Sequence, residues 1–272
     1  MIVFPNAKIN LGLHITGKRN DGFHNLETIF YPIPWKDALE IIPSQDSIDV
    51  QFSQSGLTID GSTSNNLCVK AYHLVKKKYP QLPPIQLHLL KQIPMGAGLG
   101  GGSADAAFTL NLLNKKFDLE IPNQLLEEMA LELGSDCPFF LLNQPALATG
   151  RGEQLIPLKS KLNGLHLLLI YPGIHVSTAW AFQSLTLTNN RTRLDSIYEL
   201  PIETWQEQLT NDFETPVFVK YPIIGSLKNQ LIEAGAIYAS MSGSGSSVFG
   251  IFEKEIPLPI DSNHLFRWMK LS

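Results

Sequence analysis

The sequence has few of the features that mark secreted, membrane-spanning or nucleic-acid-binding proteins. Its 272 residues include two cysteines, Cys68 and Cys137, which lie far apart and without metal-ligand spacing. We therefore expect free thiols in a reducing compartment. The net charge of −4 leaves no excess of basic residues for a nucleic-acid backbone. The strongest apolar run, residues 165–171, is far too short to span a bilayer.

The N-terminal stretch also lacks the layout of a signal peptide, because a proline and several polar residues interrupt any apolar core. These absences predict a soluble cytoplasmic protein with no nucleic-acid and no membrane partner. A small anionic ligand is compatible with the charge, since local N–H groups and one or two lysines suffice to bind one.

The composition is that of a globular protein, with 44% hydrophobic and 17% charged residues. The length predicts one large domain or two lobes, with a boundary near residues 150–164. Strand and helix patterns do not alternate regularly, which favours an α+β fold over a doubly wound sheet. Strands are predicted at 7–16, 26–33, 39–42, 48–52, 57–59, 85–91, 146–149, 153–156, 165–171, 237–240 and 248–252. Helices are predicted at 66–79, 103–114 and 122–133, through most of 177–235, and in the tail after 252.

One stretch, residues 94–107, dominates the sequence. Five glycines fall between Gly96 and Gly102, after a predicted strand and before an alanine-rich segment that favours a helix. Glycines at this density are kept where the backbone must adopt a positive φ or approach another group closely. A glycine loop that opens a helix leaves N–H groups unpaired at the positive end of the helix dipole, so the stretch predicts a phosphate site.

Other kinds of glycine loop fit the surroundings less well. The letters of a dinucleotide fingerprint are present, but Asp118 and Glu120 lie in a polar break and not at the end of a second apolar strand. No lysine precedes Ser103, which excludes a Walker A loop. A protein-kinase glycine loop joins two strands, whereas this one opens a helix. An ordinary turn rarely contains so many glycines.

Three ordered blocks of sequence carry a more specific resemblance. Residues 94–107 read PMGAGLGGGSADAA, residues 5–13 read PNAKINLGL, and residues 239–249 read ASMSGSGSSVF. In kind and order, these blocks resemble the three motifs of the GHMP kinases, the superfamily of galactokinase and of homoserine, mevalonate and phosphomevalonate kinase. The blocks span nearly the whole chain, so the match is much more specific than one glycine pattern.

The resemblance implies a two-lobed α+β architecture with the active site in the cleft between the lobes. It implies an ATP-binding lobe over residues 1–155, similar to the second domain of ribosomal protein S5, and a ferredoxin-like C-terminal lobe over residues 156–272. ATP as co-substrate, Mg²⁺, a small-molecule acceptor and a monomer or weak homodimer are expected.

Two further stretches, residues 19–28 and 133–140, resemble one branch of the superfamily. Its members phosphorylate the 2-hydroxyl of 4-diphosphocytidyl-2-C-methyl-D-erythritol, in the non-mevalonate route to isoprenoid precursors. The pair Phe23-His24 favours this branch, because an aromatic ring and a histidine suit a nucleobase. Two alternatives stay open: another small-molecule enzyme of the superfamily, of homoserine or mevalonate type, or a non-catalytic nucleotide-binding protein on the same fold.

The resemblance assigns the glycine loop to ATP, with backbone N–H groups donating to the phosphates. The residues implied are Pro94, Met95, Gly96, Ala97, Gly98, Leu99, Gly100, Gly101, Gly102, Ser103 and Ala104. The Ser103 hydroxyl is expected to contact Mg²⁺, to cap the helix, or both. Relatives often carry a serine at the position of Ala104, so water would replace a metal-facing hydroxyl there. Asp105 is expected to be an ordinary acidic residue of the first helical turn and not a metal ligand.

Two charged residues are implied in the chemistry. Asp136 would accept the proton of the acceptor hydroxyl as the phosphoryl bond forms, and Lys8 would pair with it and stabilise the developing charge. From the residues alone, Asp136 could instead cap the following turn, and Lys8 could be an exposed lysine on a strand. Asn10 shares the strand face of Lys8 and is expected to contact the same substrate region. The loop 242–247 is expected to lie beside the glycine loop.

The resemblance also implies the residues that bind the acceptor. Phe23 would stack on cytosine and His24 would hydrogen-bond its edge, although the branch usually has tyrosine at the position of Phe23. Phe182 matches a second stacking aromatic on the opposite side of the base, with Trp180 as a competitor. Thr178 would contact the substrate diphosphate. Taken alone, each aromatic fits a core position as well.

Overall fold

A computed structural model describes residues 1–46, 48–59, 61–185, 192–257 and 264–272. The strands are β1 Ile2–Val3, β2 Asn6–Lys18, β3 His24–Lys36, β4 Ala38–Pro43, β5 Val50–Gly56, β6 Ile85–Lys91, β7 Ala146–Thr149, β8 Gln154–Pro157, β9 His166–Tyr171, β10 Tyr238–Met241, β11 Val248–Phe252 and β12 Leu265–Lys270. The helices are α1 Leu67–Lys78, α2 Gly101–Lys116, α3 Asn123–Leu133, α4 Cys137–Leu142, α5 Thr178–Gln183, α6 Leu194–Tyr198, α7 Trp205–Gln208, α8 Glu214–Lys220 and α9 Pro222–Glu233. Thr63–Asn65 and Ile202–Thr204 form short 3₁₀ helices.

The chain divides into two compact units, each made of several segments. Unit 1 comprises Met1–Ala7, Trp35–Met95 and Gly100–Asn143. Unit 2 comprises Lys8–Pro34, Gly96–Leu99 and Gln144–Ser272. The glycine loop therefore contributes residues to both units.

Unit 1 is built on a four-stranded sheet in the order β1-β4-β6-β5. β4 pairs antiparallel with β6, and β5 pairs parallel with β6, so α1 lies on the crossover between the two parallel strands. β6 alternates in burial, which places Ile85, Leu87 and Leu89 in a core shared with α1, α2 and α3. The Asn66 side chain caps α1 by accepting a hydrogen bond from the Cys68 N–H at 2.9 Å.

Unit 2 contains most of a sheet in the order β2-β3-β7-β8 and a second sheet in the order β10-β11-β9-β12. β2 and β3 are the two longest strands, and they correspond to the strands predicted at 7–16 and 26–33. All pairs in the second sheet are antiparallel. Apolar residues of α8 and α9, such as Val217 and Leu227, pack in one core with residues of β9 to β11. The predicted α+β class is confirmed.

Three local predictions are wrong. The tail was expected to be helical, but Leu265–Lys270 forms β12 and pairs with β9, whose backbone groups on that edge need partners. Residues 57–59 do not form a strand, because β5 ends at Gly56 with a φ of +81°. Helix α2 begins at Gly101 and not near Ser103.

The predicted helical region 177–235 contains α5 to α9, and its residues 186–191 lie outside the described residues. Among the helices that the structure describes, none has the length and apolar character needed to cross a membrane.

Candidate active site

The carbonyl groups of residues 97–99 in the glycine loop all accept hydrogen bonds from other parts of unit 2. The Ala97 carbonyl accepts a hydrogen bond from the Ser247 N–H at 3.2 Å, and the Leu99 carbonyl accepts one from the Lys8 N–H at 2.9 Å. The Gly98 carbonyl accepts two, from the Ser242 hydroxyl at 2.8 Å and the Lys8 ammonium at 3.2 Å. In a trans peptide the N–H points opposite to the carbonyl. The N–H groups that follow these three carbonyls therefore point away from the groups that hold them.

Gly98 is required by the close approach of the C-terminal loop. A Cβ at this position would lie 2.0 Å from the Ser242 carbonyl oxygen, and φ is +79°. Both the space and the backbone conformation exclude a side chain. The prediction that the loop 242–247 lies beside the glycine loop is confirmed. Of the neighbouring residues, Ala97 and Leu99 are buried and Gly96 is exposed.

Lys8 is buried in unit 2, so the interpretation as an exposed strand lysine is wrong. Its side chain is 3% exposed, and the ammonium donates to the Asn10 Oδ1 at 2.6 Å. The Asn10 amide in turn donates to the Thr28 hydroxyl at 2.9 Å. The ring of Phe30 lies 4.9 Å from the ammonium. The predicted shared face of Lys8 and Asn10 is confirmed, and the chain of contacts keeps the cation in one position.

In unit 1 the helix that follows the loop starts earlier than predicted. Gly100 is the N-cap residue of α2, with a φ of +69°. The prediction of Ser103 as the N-cap is therefore wrong, and Ser103 lies in the first turn. Burial raises the pKa of the Cys137 thiol to about 12, and the nearby Ser103 hydroxyl lowers that pKa by a smaller amount. Ala104 is buried, and its N–H donates to the Gly100 carbonyl at 2.9 Å.

A buried ion-pair network links the strand before the glycine loop to the helix after it, and the sequence analysis missed it. The Lys91 ammonium binds Asp37 and lies 2.7 Å from Asp105, and all three side chains are almost fully buried. Asp105 is thus not an ordinary first-turn acid. A Cβ on Gly101 would lie 2.9 Å from the Lys91 Nζ, so this glycine makes room for the lysine. The signal was present in β6, where Lys91 continues the buried face.

One lysine between two carboxylates leaves the network with an excess negative charge. Burial raises the pKa of Asp105 to about 7; the Lys91 charge opposes this rise and the Asp37 charge adds to it. Burial by itself lowers the pKa of Lys91, but the two carboxylates outweigh burial and the pKa of Lys91 is raised. Asp37 remains the better-satisfied acid, because its Oδ1 also accepts the Ile93 N–H at 2.9 Å. The Oδ1 of Asp105 is buried without a hydrogen-bond partner.

Asp136 occupies the turn between α3 and α4, the fixed position that its neighbours Gly134 and Pro138 predict. It is the N-cap residue of α4, but its side chain makes no capping hydrogen bond. The alternative interpretation of Asp136 as a side-chain cap is therefore wrong. The carboxylate is half-buried.

A cavity of about 290 Å³ in unit 1 borders both ends of the glycine loop. Met95, which is 41% exposed, and Gly102 belong to its wall. The wall combines apolar surface with amide and hydroxyl groups, a lining typical of a small-molecule pocket. Its residues are Phe52, Gln54, Ile59, Gly61, Ser62, Thr63, Asn65, Asn66, Leu67, Cys68, Met95, Gly102 and Asp105. No sequence pattern predicts this cavity; its one local signal is the exposed Met95 within the loop.

The residues predicted to bind the acceptor lie in unit 2. Phe23 is 51% exposed, and the Arg151 guanidinium lies 4.9 Å from its ring centre. His24 and Phe182 stack directly, with centroids 4.9 Å apart and planes at 20°. Trp180 is not part of this stack and lies beneath the Lys220 ammonium at 3.9 Å.

Thr178, the remaining predicted acceptor residue, begins α5 and is exposed. Its hydroxyl lies 3.1 Å from the Ser244 hydroxyl. This contact ties the start of α5 to the C-terminal loop.

Comparison with known proteins agrees with this arrangement. The family model "GHMP kinases N terminal domain" matches residues 66–144, and "GHMP kinases C terminal" matches residues 194–258. A Bacteroides fragilis protein named 4-diphosphocytidyl-2-C-methyl-D-erythritol kinase is 52% identical over 256 residues, covering 94% of this chain and 93% of the relative. The chain belongs to the GHMP kinase family. The resemblance seen in its three sequence blocks is confirmed.

This GHMP kinase has further similar proteins. One of the same name from Parabacteroides distasonis is 51% identical, covering 93% of this chain and 92% of the relative. A crystal structure of 4-(cytidine 5'-diphospho)-2C-methyl-D-erythritol kinase is 32% identical with a TM-score of 0.79, covering 92% of this chain and 90% of that one. The mevalonate kinase of Methanococcus jannaschii, 14% identical with a TM-score of 0.68 and covering 93% of this chain and 90% of that one, shows the shared fold alone.

Proposed function

We propose that this GHMP kinase transfers the terminal phosphoryl group of ATP to the 2-hydroxyl of 4-diphosphocytidyl-2-C-methyl-D-erythritol. The observation that carries the proposal is the 51–52% identity, over more than nine-tenths of the chain, to proteins named for that activity. The reaction would serve the non-mevalonate route to isoprenoid precursors. A cytoplasmic location, a monomer or weak homodimer, and lobes over residues 1–155 and 156–272 stay predictions.

The donor site is proposed at the glycine loop, residues 94–104. The tied carbonyls of residues 97–99 direct the following N–H groups outward, where they would bind phosphate oxygens without a charged side chain. In unit 1, the cavity beside Met95 and Gly102 would take the nucleoside of ATP, with Leu67 and Phe52 as apolar wall and Asn65 as a polar partner.

Mg²⁺ fits the donor set only as a phosphate-bound ion. Among the residues that the structure describes, no group of three or more His, Cys, Asp or Glu side chains is arranged to hold a metal. Mg²⁺ commonly keeps several waters and binds phosphate oxygens with few protein ligands. The half-buried Ser103 hydroxyl in the first turn of α2 is the ligand that we propose. The ion would supply charge neutralisation on the transferring phosphate.

Two residues are proposed for the chemical step. Asp136, on its fixed turn at the start of α4, would accept the proton of the acceptor hydroxyl as the new O–P bond forms. Lys8, held by Asn10 and the Gly98 carbonyl, would stabilise the charge on the transferred group. These two contacts support the proposal, because a cation that is already held would need little reorganisation when substrate binds.

The acceptor's cytosine is proposed to stack on the exposed ring of Phe23 or on the outer face of the His24–Phe182 pair. Those two rings touch each other and leave no room for a base between them. This position differs from a sandwich with Phe182 on the opposite side of the base. Thr178 would contact the diphosphate that follows the cytidine, and Asn10 would contact the same substrate region as Lys8.

The test is turnover of purified protein with ATP, Mg²⁺ and a panel of acceptors, measured as ADP release. We expect phosphorylation of the cytidyl substrate and none of homoserine or mevalonate; the reverse result would reject the assignment. Asp136→Asn should abolish turnover while ATP binding, measured by calorimetry, is kept. Asp118→Asn, an exposed acid on the same unit, is the matched control and should behave as wild type. Near-normal turnover of Asp136→Asn would reject its role as the base.

A further inference from the structure

His175 lies against the glycine loop, although the sequence analysis gave it no role. A Cβ built on Gly96 would lie 3.0 Å from the Nδ1 of His175 and 3.2 Å from its Cε1. Gly96 has a φ of +64°, so the loop turns at the residue that lies beside the ring. Within the described part of the chain, no hydrogen bond or ion pair engages this imidazole, which is exposed.

The segment that carries His175 is fixed to the C-terminal loop on both sides of the histidine. The Ser246 hydroxyl donates to the Ile174 carbonyl, and the Thr178 hydroxyl lies 3.1 Å from that of Ser244. Between them, Val176 is buried and would contact a Cβ on Gly245 at 3.6 Å. The backbone on each side of His175 is therefore fixed, which places the Cα of His175 close to the glycine loop.

This position is a junction of the two proposed substrates. Gly96 belongs to the loop assigned to the phosphates of ATP, and Thr178, three residues after His175, is assigned to the diphosphate of the acceptor. The Lys8 ammonium binds the Gly98 carbonyl, two residues along the same loop. His175 is exposed at this junction, and a ring N–H is a good donor to the phosphate oxygens that both substrates would bring there.

We propose that His175 is a phosphate-binding residue whose imidazole donates a hydrogen bond to a phosphate oxygen of ATP or of the acceptor diphosphate. The proposal rests on the proposed function for the identity of these ligands. The chemistry is the same for both sources, so the experiment must separate them.

Two measurements decide the proposal. In protein labelled with ¹⁵N-histidine, the ring signals of His175, assigned with His175→Gln, should shift on addition of AMP-PNP if the donor phosphate is bound, or of cytidine diphosphate if the acceptor diphosphate is bound. In steady-state assays, His175→Ala should raise the KM of that same substrate about tenfold, the usual effect of losing one hydrogen bond to a charged group. His175→Gln keeps an N–H donor and should recover part of the loss. His73→Ala, an exposed histidine of α1, is the control.

The proposal is overturned if the ring signals respond to neither ligand, or if His175→Ala leaves both KM values within twofold of wild type. Equal melting temperatures of the variants exclude a folding defect, and His175→Gln carries the comparison if the alanine variant is unstable. If the wild-type protein turns over none of the cytidyl substrate, the proposed function fails, while the ring signals still decide whether His175 binds phosphate.

Discussion

Changing Asp105 to Asn should cost far less stability than the same change at Asp37, although both carboxylates bind Lys91. Asp37 uses one oxygen for the Ile93 N–H and the other for the lysine. An Asn there must turn its NH₂ toward a donor, which leaves a buried group unsatisfied beside a buried cation. Breaking such a pair costs about 3–5 kcal/mol. Asp105 uses one oxygen for Lys91 and leaves the other without a partner, so Asn can keep the one hydrogen bond, at a cost below about 1 kcal/mol.

The pH dependence provides a sharper test of the same reasoning. Burial raises the pKa of Asp105 from 3.8 to about 7, against the opposing charge of Lys91. The folded protein then holds this proton more tightly than the unfolded chain does. The stability that the proton contributes is complete below about pH 4 and is lost as the pH rises through 7, by up to about 4 kcal/mol. The amide in Asp105→Asn carries no titrating proton, so the variant lacks this loss.

The assay is urea denaturation of wild type, Asp105→Asn and Asp37→Asn at pH 5.5, 7 and 8.5. The free energy of unfolding of Asp105→Asn minus that of wild type should increase by at least about 1 kcal/mol from pH 5.5 to pH 8.5, because only wild type loses stability over this range. Asp37→Asn should be severely destabilised throughout. Equal costs for the two variants, or a difference that does not change with pH, would refute the assignment of the proton to Asp105.

Three further predictions concern the glycine loop, the N-cap of α1 and the acceptor residues. Gly98→Ala places a Cβ 2.0 Å from the Ser242 carbonyl oxygen, so we expect more than a hundredfold loss of kcat and a lower melting temperature; a wild-type kcat would contradict the close approach. Asn66→Ala removes the cap of α1 and should lower the free energy of unfolding by about 1 kcal/mol in urea titrations, whereas Asn66→Asp, which can still cap, should not. Arg151→Ala removes the cation–π contact that fixes the orientation of the Phe23 ring, so we expect the KM of the cytidyl acceptor to rise about three- to fivefold with the KM of ATP unchanged; a shift in both would reject this assignment.

Local patterns in the sequence predicted much of the fold and part of the site. The order of strand, glycine loop and helix follows from glycine density between two regular segments. A lysine among apolar residues of a strand needs a partner, and Lys8 has one in Asn10, two residues away. The predicted neighbourhood of the two glycine-rich loops needed the resemblance, because no local rule joins residues 98 and 242.

The remaining features depend on contacts between residues far apart in sequence. Asp105 resembles any acid at a helix start, and only the fold brings it to Lys91 and Asp37, the latter 54 residues from the lysine. Ser103 lies within the first turn of α2 and not at its N-cap, because Gly100 adopts a left-handed conformation and the helix begins at Gly101. Residues 265–270 of the tail form a strand because they pair with the edge of β9, and that edge is a property of the sheet and not of the tail sequence.

The carbonyls that aim the glycine loop have a consequence for how the protein folds. The Gly98 carbonyl is held by a hydroxyl 144 residues later in the chain. Contacts of such long sequence separation form slowly, because the chain entropy between them must be lost first. The strand before the loop and the helix after it can fold early, because their contacts are local. The N–H groups of the loop reach their final direction only when the C-terminal loop, residues 242–247, packs against it. Affinity for phosphate should therefore appear in refolding experiments together with the last long-range contacts, after most of the helical signal has returned.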